Sequence, residues 1–345
     1  MSTSSSGSSP APRHRWLIRL GVVGVTAALG VVLTPAGLAQ ATPTTVASGA
    51  WTAMADQAYS EASTAEAALE QGGQNIQVQY IAALAWYAGL RFGWTDARTT
   101  SWLTKVYARR TASLGYGIGQ AYDAFGNGTV NPANTTYTIT TAWHVGRVLL
   151  AGYDAGAVPA ARVTEAVAAL LDTPQSNGGQ CIAYSKHVND ANMPCVWNVS
   201  ATAAWFVWRA DQRGLVPAGR EAEALDKLRR WRDDVRAEYR GNLGGWTYQS
   251  NTTALQDPWH NAPTVAAMYE ADPTIGPTAL AGHFGNWPNN TGANVDLLVY
   301  DCSRVDANYA AAHASATQPV STNLDKLATR AAYLAGPLRV QAACS

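Results

Sequence analysis

The chain has 345 residues, sets 24 basic against 24 acidic side chains, and is 47% hydrophobic. That neutral balance excludes the strongly basic surface by which a protein engages nucleic acid or an anionic membrane. The apolar share, carried in alanine-rich runs, suffices to bury a sizeable core.

The first residues form a Ser-rich tail with Arg13, Arg15 and Arg19, a Gly/Val/Ala/Leu run to about Leu33, and then Ala39-Gln40-Ala41. This three-part pattern predicts a secretory signal peptide over 1–41. The run is shorter than the ~20 apolar residues of a membrane anchor, and Pro35 and Pro43 follow it. A single Arg precedes His14, so the paired arginines of a Tat signal are absent and Sec-type export is expected. Residues 42–345 are then one domain, with 21 basic and 24 acidic side chains. The expected product is a secreted monomer with no membrane contact after cleavage.

Taken in order, Trp51 to Gln71 reads as a helix stopped by Gly72-Gly73. Ile76 to Arg91 follows on helical spacing, with Asn75 placed as an N-cap. Asp96 caps a third helix to about Thr111. Ile139 to Gly156 and, beyond Pro159, Ala160 to Leu171 are the next pair. Val199 to Gln212 is followed by Gly219 to Arg240, whose acids and arginines surround a stripe of Leu225, Leu228, Trp231 and Val235. Thr264 to Ala271 is helical. Residues 276–300 are rich in Gly, Pro and Asn and carry little periodicity, which makes 276–345 the least defined part of the domain. Val305 to Ala314 and Asn323 to Leu334 close the chain. No segment alternates long enough to build a sheet, so ten to twelve helices in antiparallel pairs are expected.

Within each pair one helix is almost wholly apolar and its partner carries the charge. The first kind is buried and the second faces solvent. A repeat accompanies this alternation. Gly115-Tyr116-Gly117, Gly178-Gly179-Gln180 and Gly244-Gly245-Trp246 each lead through a polar loop to Trp143-His144, Trp197-Asn198 or Trp259-His260, where an apolar helix begins. The three Trp lie 54 and 62 residues apart, a period that marks a repeated supersecondary unit. The predicted fold is all-α, an α/α toroid of five to six helical hairpins, with the long loops at one end.

At these Gly-Gly-Trp and Gly-Gly-Gln turns ahead of buried helices, residues 75 to 271 resemble the α/α-toroid proteins. Those include terpenoid cyclases, prenyltransferases, glycoside hydrolases and polysaccharide lyases. The Asp-x-Asp-Asp signature of the cyclases is absent. Export and the abundance of aromatics point to the glycan-active branch, by analogy of fold. The expected partner is an extracellular glycan or cell-wall polysaccharide. Toroidal lyases use Asn, His and Tyr in catalysis. The resemblance implies those residue types here as Asn198 or Asn261, His144 or His260, and Tyr248 or Tyr184.

The residues support such chemistry on their own. A His at a helix start is disfavoured as a cation and can take a proton near neutrality. An Asn beside it can bind a carboxylate or oxyanion. A hydrolase instead needs two carboxyl groups across the cleft; Asp123, between aromatics and glycines, is the favoured acid, with Asp257 the rival. Asp257 also suits a turn or cap before Pro258. Tyr122, Tyr184 and Trp246 are placed as ligand-stacking residues, with Trp259, Asp257 and Asn261 beside them. Trp143, Trp197 and Trp259 equally suit a structural role, wedging the hairpins together, and Trp86, Trp205 and Trp208 are read as core. His187, His283 and His313 stand alone and are assigned no role.

Four cysteines in an exported chain imply two disulfides. Cys181 with Cys195 closes one loop, a link worth about 3 kcal/mol on the chain-entropy argument. Cys302 with Cys344 staples the C-terminal tail. No metal or cofactor is expected. The functional reading is a secreted enzyme cleaving a poly- or oligosaccharide by elimination or hydrolysis. The alternatives are a non-catalytic glycan-binding toroid and a cyclase- or transferase-like toroid acting on an apolar substrate.

Overall fold

The computed structural model describes residues 49–344, so the predicted signal peptide lies outside the described residues. These residues are mostly helical. The helices are α1 (Ala50–Gln71), α2 (Val78–Phe92), α3 (Ala97–Tyr107), α4 (Gly146–Asp154), α5 (Ala160–Leu171), α6 (Trp197–Asp211) and α7 (Glu221–Ala237). They continue as α8 (Pro258–Ala271), α9 (Gly276–Asn286), α10 (Thr291–Val295), α11 (Val305–Thr317), α12 (Asn323–Ala331) and α13 (Ala335–Cys344). A π-helical turn, Thr140–Val145, leads into α4. Two short strands, β1 (Gln175–Ser176) and β2 (Cys181–Ile182), pair antiparallel with Gln175 opposite Ile182.

Local chemistry explains most boundaries. Asp96 caps α3 by accepting from the Arg98 amide at 2.8 Å, as expected. Asn75 does not cap α2; its side-chain amide donates to the Gly119 carbonyl instead, and the helix starts at Val78. Helix α8 begins six residues before the expected Thr264. Asp257 accepts from the amides of Trp259 and His260, and Pro258 takes the first helical position, where its missing N–H costs nothing. Two elements, α9 and α13, have no strong periodicity in the sequence and emerge only through packing.

The alternation of buried and charged helices is realised. In α6 every residue from Trp197 to Val207 is buried, whereas its neighbour α7 buries only Ala224, Leu228, Trp231 and Val235. Helix α2 packs on α3, α6 on α7, α8 on α9 and α10 on α11. Contacts also run between the buried helices themselves: α2 to α4, α4 to α6, α6 to α8, α8 to α10, α10 to α13, and α13 to α2. Helix α1 lies against α12 and α13.

Both expected disulfides form, Cys181–Cys195 and Cys302–Cys344. The first ties β2 to the approach of α6, and the second fastens α13 to the segment before α11. Such bonds belong to an oxidising, extracellular setting. Among the described residues no helix is long and apolar enough to cross a membrane.

A chain of buried side-chain amides crosses the core under α8. Gln256 Nε2 donates to Asn261 Oδ1 at 3.1 Å, and Asn261 Nδ2 meets His283 Nδ1 at 2.9 Å. His283 Nε2 meets Asn294 Oδ1 at 3.0 Å, and Asn294 Nδ2 reaches Asn308 Oδ1 at 3.3 Å. These partners fit one tautomer, neutral with the proton on Nε2. Burial pushes the His283 imidazole down to a pKa of about 4. His283 therefore has a structural partner set that the sequence reading did not foresee.

Candidate functional site

The three repeat loops are stitched together by backbone bonds. Thr138 N donates to Tyr184 O and Lys186 N to Thr136 O, both at 3.0 Å, joining the first loop to the second. Ser250 N donates to Cys195 O at 2.9 Å, and Val196 bridges Gln249, joining the second to the third. A backbone that pairs in this way brings the side chains after each loop to one place.

That place is a cavity of about 360 Å³ whose lining includes His144, Asn198 and His260. Tyr122, Tyr184 and Trp259 line it as well. Its aromatic wall is continuous: Tyr122, Tyr137 and Tyr184 meet edge to face at 6.0 and 5.9 Å, and Phe125 meets Tyr184 at 5.7 Å. Trp259 is 52% exposed, an arrangement suited to stacking on a ligand rather than wedging helices. A second cavity of about 240 Å³ shares Gln79, His144, Trp259 and Pro263 with the first and adds Trp86, Trp143, Arg147 and Asp296. The two form one cleft.

His260 is the best-oriented titratable group in it. Its Nδ1 lies 2.5 Å from Asp257 Oδ2, while Asp257 Oδ1 holds the amides of Trp259 and His260 at 2.9 and 3.2 Å. The helix cap thereby becomes an orienting carboxylate. It orients the ring with Nδ1 towards the carboxylate and leaves Nε2 free of it. Tyr248 packs edge-on against the imidazole at 4.7 Å. Tyr248 and Tyr184 are hydrogen-bonded to one another. Burial pushes the Tyr248 phenol up to about 12 and raises that of Tyr184 well above its ordinary value, so both keep their protons.

His144 behaves differently. It sits in the π-turn, a feature frequent at functional sites. Burial first, and the Arg147 charge second, bring its pKa down to about 4 against the opposing pull of Asp296. The expected neutral imidazole is present, but burial holds it neutral rather than a helix start. Asn198 is buried at the second position of α6, and its Oδ1 has no hydrogen-bond partner although it lines the cavity.

Three expected site residues lie elsewhere. Asp123 lines neither cavity, and its carboxylate accepts from the amides of Phe125, Asn127 and Gly128. Those amides outweigh what burial would raise and hold it below the usual range; it shapes a turn. Trp246 is fully buried and donates its indole N–H to Val235 O at 2.6 Å. Asn261 is engaged in the amide chain under α8. Of the tryptophans placed between wedge and ligand, Trp197 is core, while Trp143 is buried in the cleft wall.

Arg147 and Asp296 went unforeseen. The Arg147 guanidinium lies between the rings of Trp86 and Trp143, 4.4 and 4.1 Å from their centroids, and its Nη1 binds Asp296 Oδ2 at 2.9 Å. Burial pushes Asp296 upward, but Arg147 and Arg339 hold its carboxyl below the usual range. A signal for Arg147 existed: it is the one charge in the apolar run VGRVLLAG, one helical turn from His144. Asp296 lies in the aperiodic 276–300 stretch and had none. Among the described residues no group of three or more His, Cys, Asp or Glu is placed to hold a metal ion. No protein-family model, no curated protein and no solved structure matches the chain.

Proposed function

We propose that this protein is a secreted enzyme that cleaves a polysaccharide or oligosaccharide by β-elimination in the His144–Asn198–His260 cleft. We propose further that its helices form an α/α toroid with this cleft at one mouth. The cycle of contacts α2–α4–α6–α8–α10–α13–α2 supports the ring. One observation carries the functional reading: the polar residues that follow the three repeat loops line a single aromatic-walled cavity.

Elimination in a glycan needs a C–H made acidic by an adjacent carboxylate, so the substrate would contain uronic acid units. His260 Nε2 takes that proton, the electron pair becomes a C=C bond, and the C–O bond to the departing sugar breaks. A neutral phenol, Tyr184, returns a proton to the leaving oxygen. Asn198 contributes a polar amide to the cavity wall, and Trp259 and Tyr122 stack on the sugar faces.

Hydrolysis is less well supported. It calls for two carboxyl groups flanking the bond, whereas the described lining of both cavities includes one, Asp296, already bound by Arg147. Incubating the mature chain with a panel of acidic and neutral glycans tests the reading. Ultraviolet-absorbing unsaturated products from an acidic glycan support it. Saturable binding without product would make the protein a glycan-binding toroid, and new reducing ends without unsaturation would make it a hydrolase.

A further inference from the structure

Beyond Arg147 lies a third cavity of about 150 Å³, and it is dominated by arginine: Arg147, Arg209, Arg213 and Arg339 all line it. The carboxylates around them are Asp154, Glu270 and Asp296. Arg213 grips Asp154 with two bonds, at 2.7 and 2.5 Å. Asp296 is shared by Arg147 at 2.9 Å and Arg339 at 3.6 Å. Glu270 is held by neutral donors, the Trp205 indole N–H and the Tyr300 hydroxyl, both at 2.6 Å.

Arg209 is what this arrangement leaves over. Its Nε stands 4.0 Å from Glu270 Oε2, beyond hydrogen-bond reach, and is shut off from solvent with no acceptor. Four guanidinium groups face three carboxylates, and Glu270, the one nearest Arg209, already accepts one bond on each oxygen and meets Arg209 only at ion-pair distance. The cavity adjoins the C-terminal ends of α4, α6 and α8, whose partial negative charge tempers the excess.

We propose that this cavity is a binding site for a small oxyanion, a carboxylate or an inorganic anion of similar size, seated on Arg209 with Arg339 and Arg147 opposite. An anionic oxygen supplies the acceptor that Arg209 Nε lacks and cancels the unbalanced charge; planar forks of this kind match carboxylate and sulfate geometry. Trp86, Trp143 and Trp205 line the same cavity, so occupation reports on itself through their fluorescence. The site stands independently of the reaction in the cleft. Because it shares Arg147, Trp86 and Trp143 with the cleft, its ligand is either a free anion or the acidic group of a sugar.

The test is a fluorescence titration of the mature chain at constant ionic strength, with sodium sulfate, sodium glucuronate and uncharged glucose in parallel. Saturable quenching by sulfate assigns a free oxyanion, and quenching by glucuronate alone assigns an acidic sugar; both uphold the site. Arg209→Gln should weaken that binding about tenfold or more, and Arg339→Gln serves as the second variant should the first fail to fold. Absence of a saturable response to either anion overturns the proposal. So does an affinity unchanged in the folded variants, or an equal response to glucose.

Discussion

The amide chain through His283 makes the stability of this protein depend on pH in a calculable way. Folded, the His283 imidazole has a pKa of about 4 because it is wholly buried between Asn261 and Asn294. Unfolded, it returns to its ordinary 6.5. A depressed folded pKa means that the unfolded chain takes up the proton first. The contribution is therefore complete above about pH 6.5 and drains away as pH falls towards 4. At ~1.4 kcal/mol per pKa unit, the loss is about 3 kcal/mol. Carboxylates held below their usual range, such as Asp296 and Glu165, lose stability in the same direction, so the wild-type curve alone does not isolate the histidine. His283→Gln does, because the glutamine amide offers the same donor and acceptor without titrating. Urea denaturation of both proteins at several pH values between about 7 and 4 is the measurement. The variant starts about 1 kcal/mol less stable at neutrality, from imperfect bond geometry, and then loses roughly 3 kcal/mol less than the wild type on acidification. Parallel curves for the two proteins would refute this account of the buried chain.

Four further outcomes follow, three of them from the cleft and its walls. His260→Ala should lower turnover about 100-fold or more, as expected for loss of a general base. Asp257→Asn keeps the helix cap but not the charge; it should fall between that variant and the wild type with helicity unchanged by circular dichroism. Gly292→Ala would place a methyl carbon 2.1 Å from the Trp259 ring. It should push that indole across the cleft, raising KM for a glycan substrate more than it lowers kcat and shifting tryptophan emission. Trp246→Phe removes a buried bond to Val235 O by a side chain that lines neither cavity; a stability loss of about 1–3 kcal/mol with wild-type activity is expected.

Legibility in the sequence tracked how local the determining interaction is. Asp96 and the Gly72-Gly73 stop act within a turn of their own position, and the helix ends they set were readable from the sequence. The repeat of glycine turn, loop and Trp-His or Trp-Asn was also readable, because each copy carries its own signal. It led to three residues that one cavity collects. Residue type alone misjudged Asp123, Trp246 and Asn261. A carboxylate between glycines serves equally well to bind its own loop amides, and an indole beside a glycine turn serves equally well as core. What separates the roles is where the partners come from, and for these three they come from the local turn, from α7 and from α9.

The Arg147–Asp296 pair shows the opposite extreme, since 149 residues separate its members. Asp296 follows a short helix whose position depends on α13, which itself forms only by packing. Neither α10, five residues long, nor α13, which buries only Ala335, Gly336, Pro337 and Val340, carries a long amphipathic period. The same contact that hides Asp296 from a sequence reading makes it consequential. It anchors the guanidinium that lines both the aromatic cleft and the arginine-lined cavity and lies over the rings of Trp86 and Trp143. One ion pair thus fixes a side chain that belongs to the walls of both cavities.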